Sequence, residues 1–330
     1  MHILEKLKWS FYEITVKLSG NRKRKKKENN FHKKQGQSIF LFLFLLFPVL
    51  QFIVFYVGVN FNSIILAFQE YENGVGFKFA GGINFVNVFN QIFVTGELVT
   101  AIKNSAIQFV FVLFLGTPVH VIVAYAVFKK VPFHGFFKVM LFLPQMISSM
   151  VFVICAEYLI NEGFPMIFTG LEKKLLDPYE TSSFWTVLIF YYWMSFASGL
   201  VVYLGAMGSI PQDVMEYGQL EKLSSLKELW YVVVPMIFPT ITTYVVVAFA
   251  GFFTNYGFFY SFFNGSVNNT PFDTLGYVFF CKVVGSTHSS KSLLSNYPFA
   301  AAGGIMFTMV CAPITIAVKM LLEKYGPSEE

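Results

Sequence analysis

Residues 39–60 read IFLFLFLLFPVLQFIVFYVGVN, and none of them carries a charged side chain. A helix needs about 20 apolar residues to cross the roughly 30 Å of hydrocarbon in a bilayer. The stretch therefore predicts a membrane-spanning helix. It is longer than the roughly 7–15 apolar residues of a signal-peptide core, and no small-residue cleavage site follows it. We therefore expect it to remain in the mature protein.

Five further apolar windows follow, at about 104–128, 136–160, 183–207, Leu229 into the 250s, and 298–322. The chain has 330 residues, 55% of them hydrophobic and 13% charged, against about 45–50% and 25% in soluble domains. Because helices satisfy their own backbone hydrogen bonds in lipid, these features predict an all-α polytopic membrane protein with about six spans. Kinks are expected at Pro118, Pro144, Pro235 and Pro239.

The distribution of lysine and arginine predicts the orientation, because cytoplasmic segments are enriched in these residues. The run RKRKKK at 22–27 precedes the first window and predicts that the N-terminus lies in the cytoplasm. An even number of spans returns the C-terminus to the same side. The segments expected outside are 61–103, 161–182 and 264–297.

The N-terminal segment 1–38 has two interpretations. Residues 3–18 place apolar side chains at helical spacing, which is typical of an amphipathic helix on the cytoplasmic membrane surface; the alternative is a frayed leader without a role. The basic run is expected to anchor the chain on anionic lipid rather than to bind nucleic acid. We divide the remainder into a transmembrane domain, 39–325, and a short cytoplasmic tail, 326–330.

The predicted coupling loop, 208–228, lies within GAMGSIPQDVMEYGQLEKLSSLKELWYVVVPMIFPTI at 205–241. Asp213, with Glu216 three residues later, predicts a capping box that begins a short helix. Ser225 and Glu228 predict a second one. An apolar stripe follows the first cap at helical spacing, through Val214, Tyr217, Leu220 and Leu223. Two helices with a sharp turn between them form a rigid projection that fits a groove on a partner.

The stretch IPQDVMEYGQLEKL, followed by VVVPMIFPTI, resembles the coupling-loop signature of binding-protein-dependent ABC importer permeases. That signature joins E-A-A and D-G-A motifs to a later apolar stretch with two prolines. The matching positions are Glu216, Gly218, Glu221, Pro235 and Pro239, whereas Lys222 replaces the family glycine of D-G-A.

Further stretches resemble the carbohydrate-type, maltose or oligosaccharide branch of this family, in order along about 40–325. They are LFPVLQFIVFYVGVNFNSIILAFQEY (46–71), GGINFVNVF (81–89), AIKNSAIQF (101–109), FFKVMLFLPQMIS (136–148) and NYPFAAAGGIMF (296–307).

The resemblance implies a permease subunit of a bacterial inner membrane that imports a sugar or oligosaccharide together with a second permease, two ATPase subunits and an extracytoplasmic solute-binding protein. The divergent coupling loop favours a different chain as the second permease over a copy of this one. No phosphate-binding G-x-x-x-x-G-K-S/T motif occurs, so ATP and Mg²⁺ are expected on the ATPases and no cofactor on this chain. The implied coupling residues are Asp213, Glu216, Tyr217, Gly218, Leu220 and Glu221.

Aromatic and neutral polar side chains in the fourth and fifth spans are candidates for the sugar path, since polar groups in a span tend to face the bundle interior. The candidates are Tyr192, Trp193, Ser195, Ser198, Tyr244, Asn255 and Tyr256, with Tyr191 and Thr243 beside them. The alternative is helix packing, which uses the same residue types.

Other classes of function stay open. An ion-coupled transporter usually needs acids inside the membrane, and Glu157 is the main candidate. A permease for a non-sugar solute fits the same pattern, and Lys222 keeps open a degenerate regulatory subunit. Neither the three cysteines nor the five histidines have metal-type spacing, and no hydrolase motif occurs, so a metal site or an enzyme in the bilayer is not expected.

Overall fold

The structure, a computed structural model, describes residues 40–168, 175–263, 265, 270–285 and 293–327. The N-terminal segment with its predicted amphipathic helix and basic run, and the end of the predicted tail, lie outside the described residues. The chain divides into two compact units, Met1–Ser63 and Ile64–Glu330.

Helices dominate the described residues of each unit. In chain order the elements are α1 Phe40–Ala67, β1 Gln69–Glu72, β2 Gly76–Phe79, α2 Ile83–Phe93, α3 Val99–Phe128, α4 His134–Met146, α5 Ser149–Ile167, α6 Ser182–Gly208, α7 Gln212–Leu220, α8 Ser225–Met236, α9 Phe238–Ala250, α10 Phe259–Phe263, α11 Leu275–Val284 and α12 Leu294–Tyr325. The first unit contributes most of α1, whose side chains from 40 to 62 are all exposed within it.

Five helices of the described chain are long and apolar enough to cross a membrane, namely α1, α3, α5, α6 and α12. The pair α8 and α9 forms a sixth span if it is counted as one helix bent by 71°. The prediction of an all-α polytopic membrane fold with about six spans is therefore confirmed.

The third apolar window is not one continuous helix, contrary to the prediction for 136–160. The backbone is extended at Ile147 and Ser148, with ψ of 144° and 126°, and this break separates α4 from α5. Pro144 lies in the last turn of α4, where it has no N–H to give to the helix and its ring crowds the preceding turn. Helix α5 then continues to Ile167, into a segment expected to be a loop.

The prolines differ in their effects. Pro235 and Pro239 flank Ile237, where α8 and α9 meet at 71°. Pro118 leaves α3 continuous, because a wider π-helical turn at Phe111–Gly116 comes directly before the helical turn that contains this proline.

The segment 61–103 also has more structure than a loop. Strands β1 and β2 pair antiparallel, from Gln69 opposite Phe79 to Glu72 opposite Gly76. The Asn84 side-chain amide of α2 then donates to the carbonyls of Ala67 and Gln69, at 3.0 and 2.7 Å. These bonds hold the start of α2 against the end of α1.

Helix α6 lies at the centre of the second unit, where half of its most apolar window is buried. Its first half packs with α10 and α11 in one apolar cluster, and its second half packs with α3, α7 and α8 in another. Gly199 permits the contact with α3, because a Cβ at this position would lie 2.6 Å from the His120 ring. Small residues bring membrane helices together in this way.

Candidate functional site

The projection predicted between the fourth and fifth spans is present as α7 and the start of α8. Helix α7 begins at Gln212, so Asp213 lies in its first turn and does not cap it as predicted. In that turn a carboxylate stabilises the positive end of the helix dipole. The Glu228 carboxylate, predicted to cap α8, instead pairs with Lys129 at 2.6 Å.

A sharp turn follows α7, and Lys222 forms it. The φ of Lys222 is +50°, in the left-handed region. The Leu223 N–H donates to the Gly218 carbonyl at 3.2 Å, which is the long bond of a Schellman motif. The turn is therefore made at Lys222, the position of the family glycine, two residues before Ser224.

The two faces of α7 differ sharply in burial. Met215 and Gly218 are buried against α8, whereas the side chains of Tyr217 and Leu220 are 70% and 77% exposed. Tyr217 and Leu220, two members of the predicted apolar stripe, therefore point away from α8, whereas Met215 and Gly218 face it. The outer face also carries the exposed acids Asp213, Glu216 and Glu221.

A cavity of about 310 Å³ lies between α3, α6 and α9. Its lining comprises Ser105, Gln108, Phe109, Val112, Tyr191, Tyr244, Val247, Ala248, Gly251, Phe252 and Asn255. The Asn255 amide donates to the Tyr191 hydroxyl at 2.9 Å, and Tyr244 stacks on Tyr203 with ring centres 5.0 Å apart. Two of the predicted path residues, Tyr244 and Asn255, and their neighbour Tyr191 thus lie at one site.

Helix α3 also contributes to this cavity, which was not predicted from the sequence. Gln108 is 3% exposed, and its side-chain nitrogen has no hydrogen-bond partner among the described residues. Ser105 lies one helical turn before it and accepts a hydrogen bond from the Leu275 N–H at 2.9 Å. The signal was the polar spacing in N-S-A-I-Q, which places Asn104, Ser105 and Gln108 on one face of an apolar span.

The other path candidates do not line this cavity; they are Tyr192, Trp193, Ser195, Ser198 and Tyr256. The Tyr192 hydroxyl donates to the Gly116 carbonyl at 2.9 Å, and the Trp193 ring meets Phe152 edge-on at 5.2 Å. Both contacts join neighbouring helices.

Two of the three remaining candidates contact side chains of other helices. Ser198 accepts a hydrogen bond from the Gln145 amide of α4, and Tyr256 stacks on Phe280 with ring centres 4.4 Å apart. Ser195 is half-buried on α6. A role in the substrate path stays a prediction for these residues and for Tyr192 and Trp193.

Over the parts of the chain that the structure describes, no three His, Cys, Asp or Glu side chains are placed to hold a metal ion.

The sequence profile of the family described as binding-protein-dependent transport system inner membrane component matches residues 93–326. The chain belongs to this family. The match runs from the end of α2 to the end of α12, and so includes both α7 and the cavity.

Named relatives of this permease are bacterial. The multiple sugar-binding transport system permease protein MsmF of Streptococcus mutans is 21% identical over 289 residues, which are 86% of this chain and 94% of MsmF. The galactooligosaccharides transport system permease protein GanP of Bacillus subtilis is 24% identical over 253 residues, covering 70% of this chain and 56% of GanP.

Solved structures share the permease fold. One is a bacterial ABC transporter involved in the import of the acidic polysaccharide alginate, with 19% identity, a TM-score of 0.64, and coverage of 90% of this chain and 99% of that one. Another is a bacterial alginate ABC transporter in complex with an alginate pentasaccharide-bound periplasmic protein, with 18% identity, a TM-score of 0.65, and coverage of 88% and 96%.

In this permease, the connection that precedes α11 is hydrogen-bonded to α3 beside the cavity. The Asn104 side chain donates to the carbonyls of Pro271 and Asp273, each at 2.8 Å. At Gly276, a Cβ would lie 2.6 Å from the backbone carbon of Asn255. Only glycine permits this approach, so the start of α11 lies directly against a residue that lines the cavity.

Proposed function

We propose that this permease is a transmembrane subunit of an ATP-driven importer for a sugar or oligosaccharide. It forms the translocation path with a second permease, works with two ATPase subunits that bind ATP and Mg²⁺, and receives its solute from an extracytoplasmic binding protein. No catalytic residue is assigned to this chain. The sugar class is supported by the names of its relatives.

The observation that carries the proposal is the outer face of α7. Tyr217 and Leu220 are large apolar side chains that remain exposed on a helix whose opposite face is packed. An apolar surface patch bordered by charged groups is typical of a site that contacts another protein or a membrane. We assign this face to one ATPase, with Glu216 among the contacting residues, and place α7 and both termini in the cytoplasm.

The cavity supports a neutral, hydroxyl-rich solute. Its lining combines aromatic rings with the amides of Gln108 and Asn255 and the hydroxyls of Ser105 and Tyr191, and it includes no charged side chain. Amides and hydroxyls can both donate and accept hydrogen bonds, as sugar hydroxyls require. Alternating access then follows when closure of the ATPases moves α7 and the spans change between two rigid arrangements.

Replacing Glu216 with Arg tests the docking assignment. A wrong charge at an interface costs several kcal/mol, so Glu216→Arg should reduce both sugar uptake and the co-purifying ATPase by roughly tenfold or more. Glu70→Arg is the control, because Glu70 is equally exposed but lies on β1. Equal uptake and equal ATPase recovery for both variants would reject the proposal. Uptake that stops with a dissipated ion gradient and not with ATP depletion would favour an ion-coupled transporter.

A further inference from the structure

A buried ion pair lies where α7 packs against the first turn of α8. Glu228 is in the first turn of α8, and its side chain is 5% exposed. The Lys129 ammonium lies 2.6 Å from it and is 26% exposed. A buried carboxylate requires a partner, and removing one member of such a pair is strongly unfavourable. The pair is therefore a defined contact and not a surface pairing that solvent would screen.

The pair joins two elements that are distant in sequence. Lys129 directly follows the last residue of α3, and its N–H donates to the Tyr125 carbonyl at 2.9 Å. A cation at this position is favoured by the negative end of the helix dipole. Lys130 has a φ of +54°, so the chain turns away immediately afterwards. The charge of Lys129 is thus fixed at the tip of α3.

The other side of the Glu228 side chain faces α7. A Cβ at Gly218 would lie 3.6 Å from the Glu228 Cγ and 3.8 Å from Val232, so α7 lies directly on this side chain. An apolar contact accompanies it, because Met215 of α7 shares a buried cluster with Leu229 of α8. A movement of α7 therefore presses on the base of α8 at Glu228.

The contacts continue to the cavity. Helix α3 is unbroken from Val99 to Phe128, and it carries Ser105 and Gln108 into the cavity lining. Packed side chains and rigid helices are the means by which two sites are mechanically coupled, provided that the element has two discrete arrangements.

We propose that the Lys129–Glu228 ion pair is a positioning contact through which movement of α7 is passed to α3 and the solute cavity. This inference rests on the proposed function, because it assumes that an ATPase moves α7. Neither residue is part of the cavity lining or of the exposed face of α7. Their role is to keep α3 moving together with α7, so that each ATP hydrolysed produces a change at the cavity.

The test measures sugar transported per ATP hydrolysed in the assembled transporter, reconstituted in vesicles with its ATPases and binding protein. Glu228→Gln and Lys129→Gln should each lower this ratio by about fivefold or more, the lower end of measured couplings between sites. The charge-exchanged double variant Lys129→Glu with Glu228→Lys should recover much of it. Glu323→Gln is the matched control, since it breaks the exposed Lys319–Glu323 pair of α12 and should leave the ratio unchanged.

A purely structural pair gives a different result. The single variants would then yield less assembled transporter, but with the wild-type number of sugars per ATP, and that result would overturn the proposal. If Glu228→Gln does not assemble, Glu228→Asp keeps the charge on a shorter side chain and should lower the ratio in assembled material. A wild-type ratio for Glu228→Asp would also overturn it. A failure of the proposed function would give a different result from a failure of this inference. The unaltered permease would then neither import sugar nor co-purify with an ATPase.

Discussion

At the scale of one residue, Lys222 forms the turn after α7 at a position where the family signature has glycine. Its φ of +50° costs a residue with a Cβ about 1–2 kcal/mol. The bond from the Leu223 N–H to the Gly218 carbonyl closes the turn at 3.2 Å. The lysine at the position of the family glycine therefore adopts the left-handed conformation that such a turn requires.

We predict that Lys222→Gly raises the free energy of unfolding by up to about 1 kcal/mol, because the relief of left-handed strain exceeds the added backbone entropy of glycine. Lys227→Gly, in the helical first turn of α8, should instead lower it by about 1 kcal/mol. Thermal unfolding in detergent measures both variants. A loss of stability for Lys222→Gly would contradict the strain argument.

Residue types were easier to predict than the directions in which they point. The spacing of Val214, Tyr217 and Leu220 indicates one apolar face of a helix, but spacing does not say which face is packed. In the structure the packed face of α7 is the one that carries Met215 and Gly218, and Gly218 lies against Glu228 and Val232. Gln108 was missed for a related reason, since a polar residue in a span serves packing as readily as a cavity.

At the scale of elements, hydropathy predicted the spans because burial in lipid needs only length and apolar composition. It did not predict where they break. Pro118 and Pro144 look alike in sequence, yet α3 continues past Pro118 whereas α4 ends two residues after Pro144. A π-helical turn lies just before Pro118, whereas α4 is α-helical up to and past Pro144, and the presence of a proline alone does not predict which of the two occurs.

The approach of α11 to the cavity gives a second prediction. Gly276→Ala places a methyl group 2.6–2.8 Å from backbone atoms of Thr254 and Asn255, which cannot rotate away as a side chain would. We expect a loss of about 1–3 kcal/mol in unfolding free energy, the usual cost of overpacking, together with slower sugar uptake.

Gly304→Ala is the control for this variant, because nothing lies within 4 Å of the added methyl group. Alanine is also the better helix former, so Gly304→Ala should keep or slightly raise stability. Thermal unfolding and uptake are measured together. Equal behaviour of the two variants would show that the close contact at Gly276 is not required.

At the scale of the whole molecule, the orientation in the membrane can be tested with single cysteines. Cys155, Cys281 and Cys311 are first replaced by alanine, and a cysteine is then introduced at Glu216 or at Glu70, both of which are exposed. The basic N-terminal run predicts that α7 is cytoplasmic and that β1 is outside.

A membrane-impermeant thiol reagent should therefore label Glu70→Cys in intact cells within minutes, but Glu216→Cys only after permeabilisation. Both variants must be labelled equally in detergent, which controls for the reactivity of each site. Labelling of Glu216→Cys in intact cells would place α7 outside and exclude any contact with a cytoplasmic ATPase.

The angle of 71° between α8 and α9 has a geometric consequence. Because the two helices meet at a steep angle, rotation of α8 about its own axis moves the far end of α9 sideways. Helix α9 has 13 residues, which makes it about 20 Å long, and a twist of about 10° in α8 would carry its far end roughly 3 Å sideways. Because Tyr244, Val247 and Ala248 of α9 line the cavity, such a rotation would change the width of the cavity.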